Sequence, residues 1–176
     1  GDPSRLLPET GSTCLYLGAS FGSTVSHIHD QVCGSLNHHG GQVVAVEIAP
    51  RAMRDLSELS RRRPGLIPVL GDARKPQTVA PYIRNQADWI HQDLSIADQA
   101  ETFVRMSGAF LRPGGTGLLS LKAASERSSD GDDDSRFAKA AKILRESDLE
   151  VIERIDLKGL EEQHVVFLVR KTVNSG

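Results

Sequence analysis

The stretch LYLGASFGSTVSH, residues 15–27, joins an apolar run directly to a glycine-rich turn. The apolar run that ends at Gly18 is typical of a buried strand, and the residues after Gly22 begin an amphipathic helix. A strand, a tight turn and a helix in this order form the start of a βαβ unit. The turn is open to three interpretations: a phosphate-binding loop, a loop for another nucleotide-like cofactor, or a plain strand-to-helix connection.

The alternation of apolar runs and amphipathic stretches continues to the end of the chain. It predicts strands over residues 13–17, 42–48, 66–70, 88–93, 117–122, 150–156 and 164–171. It predicts helices over residues 23–33, 50–62, 76–84, 97–111 and 135–147. Each of the first five strands is followed by a helix, which indicates parallel strands joined by crossover helices.

The last two predicted strands depart from this order. Only seven residues, 157–163, separate them, too few for a crossover helix, so the final strand should run antiparallel. The sequence therefore predicts an α/β fold with a doubly wound sheet that is mostly parallel and has an antiparallel last strand. The 176 residues are enough for one such domain. We assign it to residues 13–176, after an N-terminal extension or truncated linker over residues 1–12.

The composition is that of an ordinary globular protein, with 39% apolar and 25% charged residues. The sequence has no run of 18 apolar residues and no basic-then-apolar pattern at its start. We therefore expect neither a membrane span nor secretion, and we expect an intracellular location. The two cysteines, Cys14 and Cys33, are expected to be reduced structural thiols.

The net charge of -2 gives no overall attraction to nucleic acid, but the charge is unevenly distributed. Residues 51–84 contain eight basic side chains against three acidic ones. The basic ones are Arg51, Arg54, Arg61, Arg62, Arg63, Arg74, Lys75 and Arg84. This basic cluster is compatible with contacts to RNA phosphates and equally with a solvated or partner-facing surface.

Open α/β sheets bind ligands beyond the carboxyl ends of their strands, so the residues that follow each apolar run are candidates for a site. The first predicted strand is followed by the glycine turn, residues 18–22. The second strand ends in Glu47, and Asp72 follows the third. The fourth strand ends in Asp93 and the fifth in Lys122. Each strand is therefore followed by a turn or side chain that could meet a ligand.

The glycine turn lacks the features of two phosphate-binding motifs. A P-loop needs a lysine after its last glycine, and none follows Gly22; the dinucleotide fingerprint needs GxGxxG, but three residues separate Gly18 from Gly22. Glu47 is the acid that a ribose diol needs as acceptor, and Asp72 could receive an adenine amino group. These features predict an adenosine ligand without phosphates, and S-adenosylmethionine fits. The turn taken alone could still be a plain strand-to-helix connection that binds no ligand.

Taken together, these segments resemble the fibrillarin family, the 2′-O-methyltransferases of box C/D guide ribonucleoproteins. The resemblance covers nearly the whole chain, from Thr13 to Lys171. Its carriers, in order, are LYLGASFGSTVSH (15–27), VAVEIAPR (44–51), DAR (72–74), DLSIADQA (93–100), SLKA (120–123) and His164 with the apolar run behind it. Each segment alone is weak evidence for the family, whereas six segments in the family's order are specific for it.

The resemblance implies a class I methyltransferase fold, which is Rossmann-like, with S-adenosyl-L-methionine as the methyl donor. It implies methyl transfer to a ribose 2′-hydroxyl of rRNA or tRNA, without a metal ion. The residues expected to bind the donor are Gly18, Ala19, Ser20, Gly22, Ser23, Thr24, Glu47, Ile48, Asp72, Ala73 and Asp93.

Three members of the family's Lys-Asp-Lys-His constellation fall on Asp93, Lys122 and His164. A ribose hydroxyl is a poor acid, so attack on a sulfonium methyl needs its proton drawn off and its oxygen oriented. The resemblance implies that Asp93 accepts or polarises the proton, that Lys122 orients the hydroxyl and Asp93, and that His164 gives support. Each of the three residues could instead have a purely structural role. Asp93 would then cap a helix, Lys122 would be a solvated side chain at a strand end, and His164 would have its hydrogen bonds satisfied within the chain.

The sequence also departs from the family pattern. The family's first catalytic lysine lies upstream of the first strand, where residues 1–8 contain Arg5 but no lysine. The family's small N-terminal β domain is also missing from these residues. Ile96 and Ala97 stand where Gln and Pro are usual. Phe21 replaces a residue that is more often small, and we expect it to pack beneath the loop or to narrow the cofactor entrance.

The resemblance implies a box C/D guide RNA, a target RNA and a Nop-type scaffold protein as partners, and no membrane. It implies a nucleolar location in a eukaryote and a cytoplasmic one in an archaeon. Two other functions stay open: a non-catalytic or weakly active assembly subunit of the same ribonucleoprotein, and a methyltransferase for protein side chains. The missing lysine favours the assembly subunit, whereas Asp93 and Lys122 argue against it.

Overall fold

The computed structural model describes residues 3–20, 22–122, 133–158 and 163–173. The expected role of Phe21 lies outside these residues. The strands are β1 (Thr13–Leu17), β2 (Gln42–Glu47), β3 (Leu66–Leu70), β4 (Ala87–Gln92), β5 (Leu111–Lys122), β6 (Leu149–Lys158) and β7 (Gln163–Lys171). The α-helices are α1 (Ser23–Val32), α2 (Pro50–Ser60), α3 (Pro76–Val79), α4 (Gln99–Phe110) and α5 (Asp133–Arg145). Short 3-10 turns occupy Pro3–Leu6 and Ser35–Asn37.

Each predicted strand and helix is present, and the bounds of two of them differ from the prediction by more than two residues at one end. Helix α3 ends at Val79 rather than at residue 84, because Pro81 lacks the N–H that would continue the helical hydrogen bonds. Strand β5 begins at Leu111, directly after α4 and six residues earlier than predicted. Its pairing with β7 begins only at Thr116, near the predicted start.

Hydrogen bonds join the strands in the order β3-β2-β1-β4-β5-β7-β6. Strands β1 and β3 are parallel to β2, whereas β7 is antiparallel to both β5 and β6. The prediction of a doubly wound, mostly parallel sheet with an antiparallel last strand is therefore confirmed. The short connection between β6 and β7 explains the reversal, because a parallel strand would need a longer crossover.

The chain forms two compact units, Gly1–Ile90 and His91–Gly176. In the first unit, all of β1 and nearly all of β2 are buried. Continuous apolar runs of this kind are typical of parallel strands that are covered on both faces. Helix α1 buries Val25, Ile28 and Val32, so its amphipathic pattern places one face in the core.

In the second unit, α4 and α5 pack against each other and against β5 and β6. The largest buried side chains of this core are Phe103, Met106, Leu111, Leu119, Phe137, Leu144 and Phe167. Lys171 is buried as well, and its Nζ donates to Leu111 O at 2.8 Å and to Ser107 O at 3.2 Å. The ammonium thus supplies a donor to carbonyls at the end of α4, of which Ser107 O also accepts from Leu111 N.

The two cysteines are free and buried, as the sequence predicted. Burial raises the pKa of Cys33 to about 11 and the pKa of Cys14 well above its usual value. Both are therefore protonated, unreactive thiols at neutral pH. Within the described ranges, no helix combines the length and the apolar character that crossing a membrane requires.

Candidate active site

The glycine turn after β1 is held to the end of β2 by backbone hydrogen bonds. Gly18 N and Ala19 N both donate to Val46 O, at 2.9 and 3.0 Å. Gly18 and Gly22 have φ values of 86° and 91°, which glycine adopts without a steric penalty. Ser20 lies between them with a φ of 53°, an uncommon conformation for a residue with a side chain. The turn is therefore a strongly constrained backbone element.

Helix α1 begins directly after Gly22, and no side chain of the described residues caps its first turn. Ser23 and Thr24 are exposed at this position. The first N–H groups of a helix have no intrahelical partner, and together they attract an anion. The backbone here is therefore suited to hold a carboxylate, such as that of an amino-acid group.

Glu47 connects the end of β2 to the glycine turn. Its Oε1 accepts a hydrogen bond from Ser20 N at 2.8 Å, and its Oε2 accepts from Ile48 N and Ala49 N at 2.9 Å each. A carboxylate has about four acceptor positions, so Oε1 keeps one for a ligand hydroxyl. The neighbouring Ile48 side chain is 65% exposed and offers an apolar surface to a ring.

Asp72 follows β3 and is paired with Arg74. Arg74 Nη2 lies 2.9 Å from Asp72 Oδ2, and Arg74 N donates to Oδ1 at 2.9 Å. These hydrogen bonds hold the pKa of Asp72 below its usual value. Gly71 N donates to Glu47 O at 3.1 Å, which joins the ends of β3 and β2, and Ala73 is buried. An adenine amino group would have to share Asp72 with Arg74.

In the second unit, Asp93 and Lys122 form an ion pair. Lys122 Nζ lies 3.5 Å from Asp93 Oδ1, and the two side chains are 38% (Lys122) and 32% (Asp93) exposed. Asp93 directly follows β4 and Lys122 ends β5, so two neighbouring strand ends bring them together. Asp93 is not the residue that begins the next helix, because α4 starts at Gln99 with Asp98 at its N-cap position.

His164 lies directly opposite Lys122 in the antiparallel register of β5 and β7. Residues opposite each other in such a pair project to the same face of the sheet. His164 Nε2 is buried, and no hydrogen-bond partner for it is found among the described residues. Buried polar atoms usually have a partner, so the described part of the chain does not support the alternative of a satisfied histidine.

Two buried amides fix the segment that follows Asp93. Gln92 Nε2 donates to Gln99 O at 2.8 Å, and Gln99 Nε2 donates to Leu94 O at 2.6 Å. Both glutamines are buried, with at most 1% of their surface exposed. The backbone on either side of Asp93 is therefore tied to the start of α4.

His91 was not among the residues predicted from the sequence. Its Nε2 lies 3.0 Å from Ser120 Oγ, and burial lowers its pKa to about 4, while the nearby Asp93 carboxylate raises it and His164 lowers it further. His91 and Asp93 are two residues apart at the end of one strand, so their side chains share a face. This spacing could have revealed His91, because a polar residue two positions before a candidate acid points the same way.

The basic cluster, residues 51–84, is partly used within the chain. Arg61 pairs with Glu58, Arg63 with Asp30 and Arg74 with Asp72, and Arg84 donates to Thr13 Oγ1. The other four basic side chains are exposed: Arg51, Arg54, Arg62 and Lys75. Any contact of this cluster with phosphates would therefore rest mainly on these four.

The chain matches the family model described as Fibrillarin over residues 4–173. It is 41% identical over 159 residues to a fibrillarin-like rRNA/tRNA 2′-O-methyltransferase of Methanopyrus kandleri, covering 89% of this chain and 65% of that protein. A crystal structure of a fibrillarin/Nop5p complex is similar, with a TM-score of 0.80 and 28% identity over 92% of this chain and 73% of that one.

Another similar crystal structure is that of Aeropyrum pernix fibrillarin with natively bound S-adenosyl-L-methionine. Its TM-score is 0.76 at 30% identity, covering 92% of this chain and 67% of that one. This chain thus spans about two thirds of the length of such relatives. The family match includes the glycine turn, Glu47, Asp93, Lys122 and His164. The chain belongs to the fibrillarin family.

Proposed function

We propose that this chain is an S-adenosylmethionine-dependent methyltransferase that modifies the ribose 2′-hydroxyl of rRNA or tRNA within a guide-RNA ribonucleoprotein. The observation that carries the proposal is the ion pair of Asp93 and Lys122, 3.5 Å apart at two strand ends, in a chain of the fibrillarin family. The name of the Methanopyrus relative, a fibrillarin-like rRNA/tRNA 2′-O-methyltransferase, supports the same activity.

The first unit offers the groups that an adenosine-type methyl donor needs. Glu47 Oε1 keeps an acceptor position for a ribose hydroxyl, and the first turn of α1 offers backbone N–H groups to a carboxylate. The exposed Ile48 side chain suits one face of a purine. These residues fit S-adenosylmethionine, which supplies a methyl group made electrophilic by a sulfonium sulfur. The Aeropyrum structure with this molecule natively bound supports the assignment.

The second unit offers the groups that activate a hydroxyl. Asp93 takes the proton from the 2′-hydroxyl while the methyl–oxygen bond forms and the methyl–sulfur bond breaks. Lys122 orients Asp93 through the contact at 3.5 Å and orients the hydroxyl oxygen. His164, opposite Lys122 on β7, supports the substrate or the carboxylate. The proton leaves the substrate on Asp93, so these residues need no metal ion.

The RNA substrate is delivered by a box C/D guide RNA and a Nop-type scaffold protein. The fibrillarin/Nop5p complex supports a partner of this kind. Exposed basic residues, including Arg51 and Arg54, supply contacts to phosphates in the first unit. The complex would lie in the nucleolus of a eukaryote or in the cytoplasm of an archaeon.

Binding of the donor is tested by calorimetric titration of the chain with S-adenosylhomocysteine. We expect saturable binding in the micromolar range and weaker or no binding of ATP, because no lysine follows Gly22 to hold phosphates. Absence of binding at high micromolar S-adenosylhomocysteine would remove the donor site from the proposal.

The acceptor is tested with a donor that carries a labelled methyl group, in the presence of a guide RNA and the scaffold protein. We expect label in the guide-matched RNA and none in an RNA whose target nucleotide lacks the 2′-hydroxyl. Label in protein instead would identify a side-chain methyltransferase. Donor binding without any transfer would identify a non-catalytic assembly subunit.

A further inference from the structure

A second polar contact lies next to the ion pair of Asp93 and Lys122 and joins the same two strands. His91 precedes Asp93 by two residues, and Ser120 precedes Lys122 by two residues. His91 Nε2 and Ser120 Oγ are 3.0 Å apart, so the same two strands are joined twice on one face. Side chains two residues apart on a strand share a face. The contact of His91 with Ser120 therefore lies on the same face as the ion pair, two residues further from the strand ends.

We propose that His91 is a positioning residue that acts through Ser120. Its hydrogen bond to Ser120 Oγ fixes the distance between the strand ends that carry Asp93 and Lys122. This inference rests on the proposed methyltransferase function and concerns the geometry of the same site.

The surroundings of His91 keep its imidazole uncharged. Burial lowers its pKa to about 4, and the nearby His164 acts in the same direction, against the opposing effect of Asp93. Ser120 Oγ lies 3.0 Å from His91 Nε2, and Lys122 follows Ser120 by two residues on the same face of β5. A protonated ring would be a second cation beside the carboxylate, whereas a neutral ring carries no charge that competes with Lys122.

The hydrogen bond does not depend on which ring nitrogen carries the proton. A hydroxyl both donates and accepts, so Ser120 can bond to Nε2 in either tautomer. An apolar pair at these positions would avoid the cost of burying two polar groups. The hydrogen bond of the polar pair instead holds the two strand ends at a fixed spacing. This spacing matters because the rate of a reaction falls steeply when the alignment of the reacting groups changes by about 1 Å.

The test removes the hydrogen bond from each side. His91→Phe and Ser120→Ala should each lower kcat for ribose methylation by about tenfold, and the Michaelis constant for the donor should change by less than about twofold. The double variant should be no slower than the slower single variant, because both changes remove one bond. Ser120→Thr keeps the hydroxyl and should retain nearly the wild-type rate.

Several outcomes would overturn the inference. One is an unchanged kcat in the folded single variants, and another is a double variant whose losses multiply. Thermal unfolding of each variant shows whether it is folded, and Ser120→Ala remains informative if His91→Phe does not fold. A readout that needs no turnover is the ¹⁵N chemical shift of Lys122 Nζ, which should move in Ser120→Ala; an unchanged shift contradicts positioning. Wild-type protein that transfers no methyl group would instead contradict the proposed function.

Discussion

Lys122 Nζ lies 3.5 Å from Asp93 Oδ1, with about a third of each side chain exposed. An ion pair with this exposure contributes on the order of 0–1 kcal/mol to stability. Its stability contribution is therefore too small to account for an acid and a base placed together at two strand ends. The contact is better explained by chemistry that uses a carboxylate and an ammonium group together.

The first prediction separates activity from stability at this pair. Lys122→Met should lower kcat by about 100-fold or more, because the variant loses the group that orients Asp93 and the hydroxyl. Its unfolding free energy should change by no more than about 1 kcal/mol. Lys142, which pairs with Glu146 at 3.9 Å on an exposed helix surface, supplies the control: Lys142→Met should alter neither quantity. A large loss of stability with retained activity in Lys122→Met would contradict the assignment.

The second prediction concerns the donor. Glu47→Gln should weaken S-adenosylhomocysteine binding by about tenfold or more, because hydrogen bonds to a charged group contribute about 1.5–3 kcal/mol. The matched control is Glu58→Gln, at an exposed glutamate on α2 that pairs with Arg61. Calorimetric titration of both variants checks the prediction. Equal affinities in wild type and Glu47→Gln would mean that Glu47 serves only to hold the turn through Ser20 N.

The third prediction tests the packing of the glycine turn. A Cβ at Gly22 would lie 3.0 Å from both Leu56 Cδ2 and Leu59 Cδ2, and the φ of this residue is 91°. Gly22→Ala should therefore lose about 1–2 kcal/mol to backbone strain and about 1–3 kcal/mol more to crowding. Gly40 has a φ of 71°, and a Cβ there would meet nothing within 4 Å, so Gly40→Ala should show the strain alone. Denaturant unfolding that gives equal losses would rule out the crowding.

The fourth prediction is a dependence of stability on pH. His91 has a pKa of about 4 in the folded chain, compared with about 6.5 in an unfolded one. Above pH 6.5 the ring is neutral in both states and contributes no pH dependence. As the pH falls from about 6.5 to about 4, the unfolded chain binds a proton that the folded chain does not, so stability decreases with a slope of up to about 1.4 kcal/mol per pH unit.

Chemical denaturation of wild type and His91→Phe at several values between pH 7 and pH 4 measures this slope. The variant lacks the titrating ring and should lose less stability over the range, by the contribution of one proton. Identical slopes in the two proteins would show that His91 does not resist protonation in the folded state.

The order of strands and helices could be predicted because β1 and β2 are nearly continuous apolar runs. Runs of this kind alternate with amphipathic stretches such as α1, whose period differs clearly from that of a strand. Element ends were harder to predict. The end of α3 depends on Pro81, and the start of β5 depends on an extended segment that reaches back to α4.

Part of the site could also be predicted, because a polar residue at the end of a buried run is a local signal. Glu47, Asp93 and Lys122 all gave this signal. The pairing of Asp72 with Arg74 depends on the shape of the turn after β3, which side-chain types alone do not specify. His91 lies inside a strand rather than after one, so it did not give this signal; its spacing of two residues from Asp93 was the available clue, and its contact with Ser120 on β5 shows its place in the site.

The role of Asp93 is the centre of the proposed mechanism, and the rate of ribose methylation tests it. Labelled methyl transfer to a guide-matched RNA, with guide RNA and scaffold protein present, is compared between wild type and Asp93→Ala. S-adenosylhomocysteine affinity is measured for both proteins, and the rates are compared at saturating donor. We predict that wild type places the label on the target 2′-oxygen and that Asp93→Ala is slower by about 100-fold or more. Transfer at an unchanged rate in Asp93→Ala would contradict the mechanism.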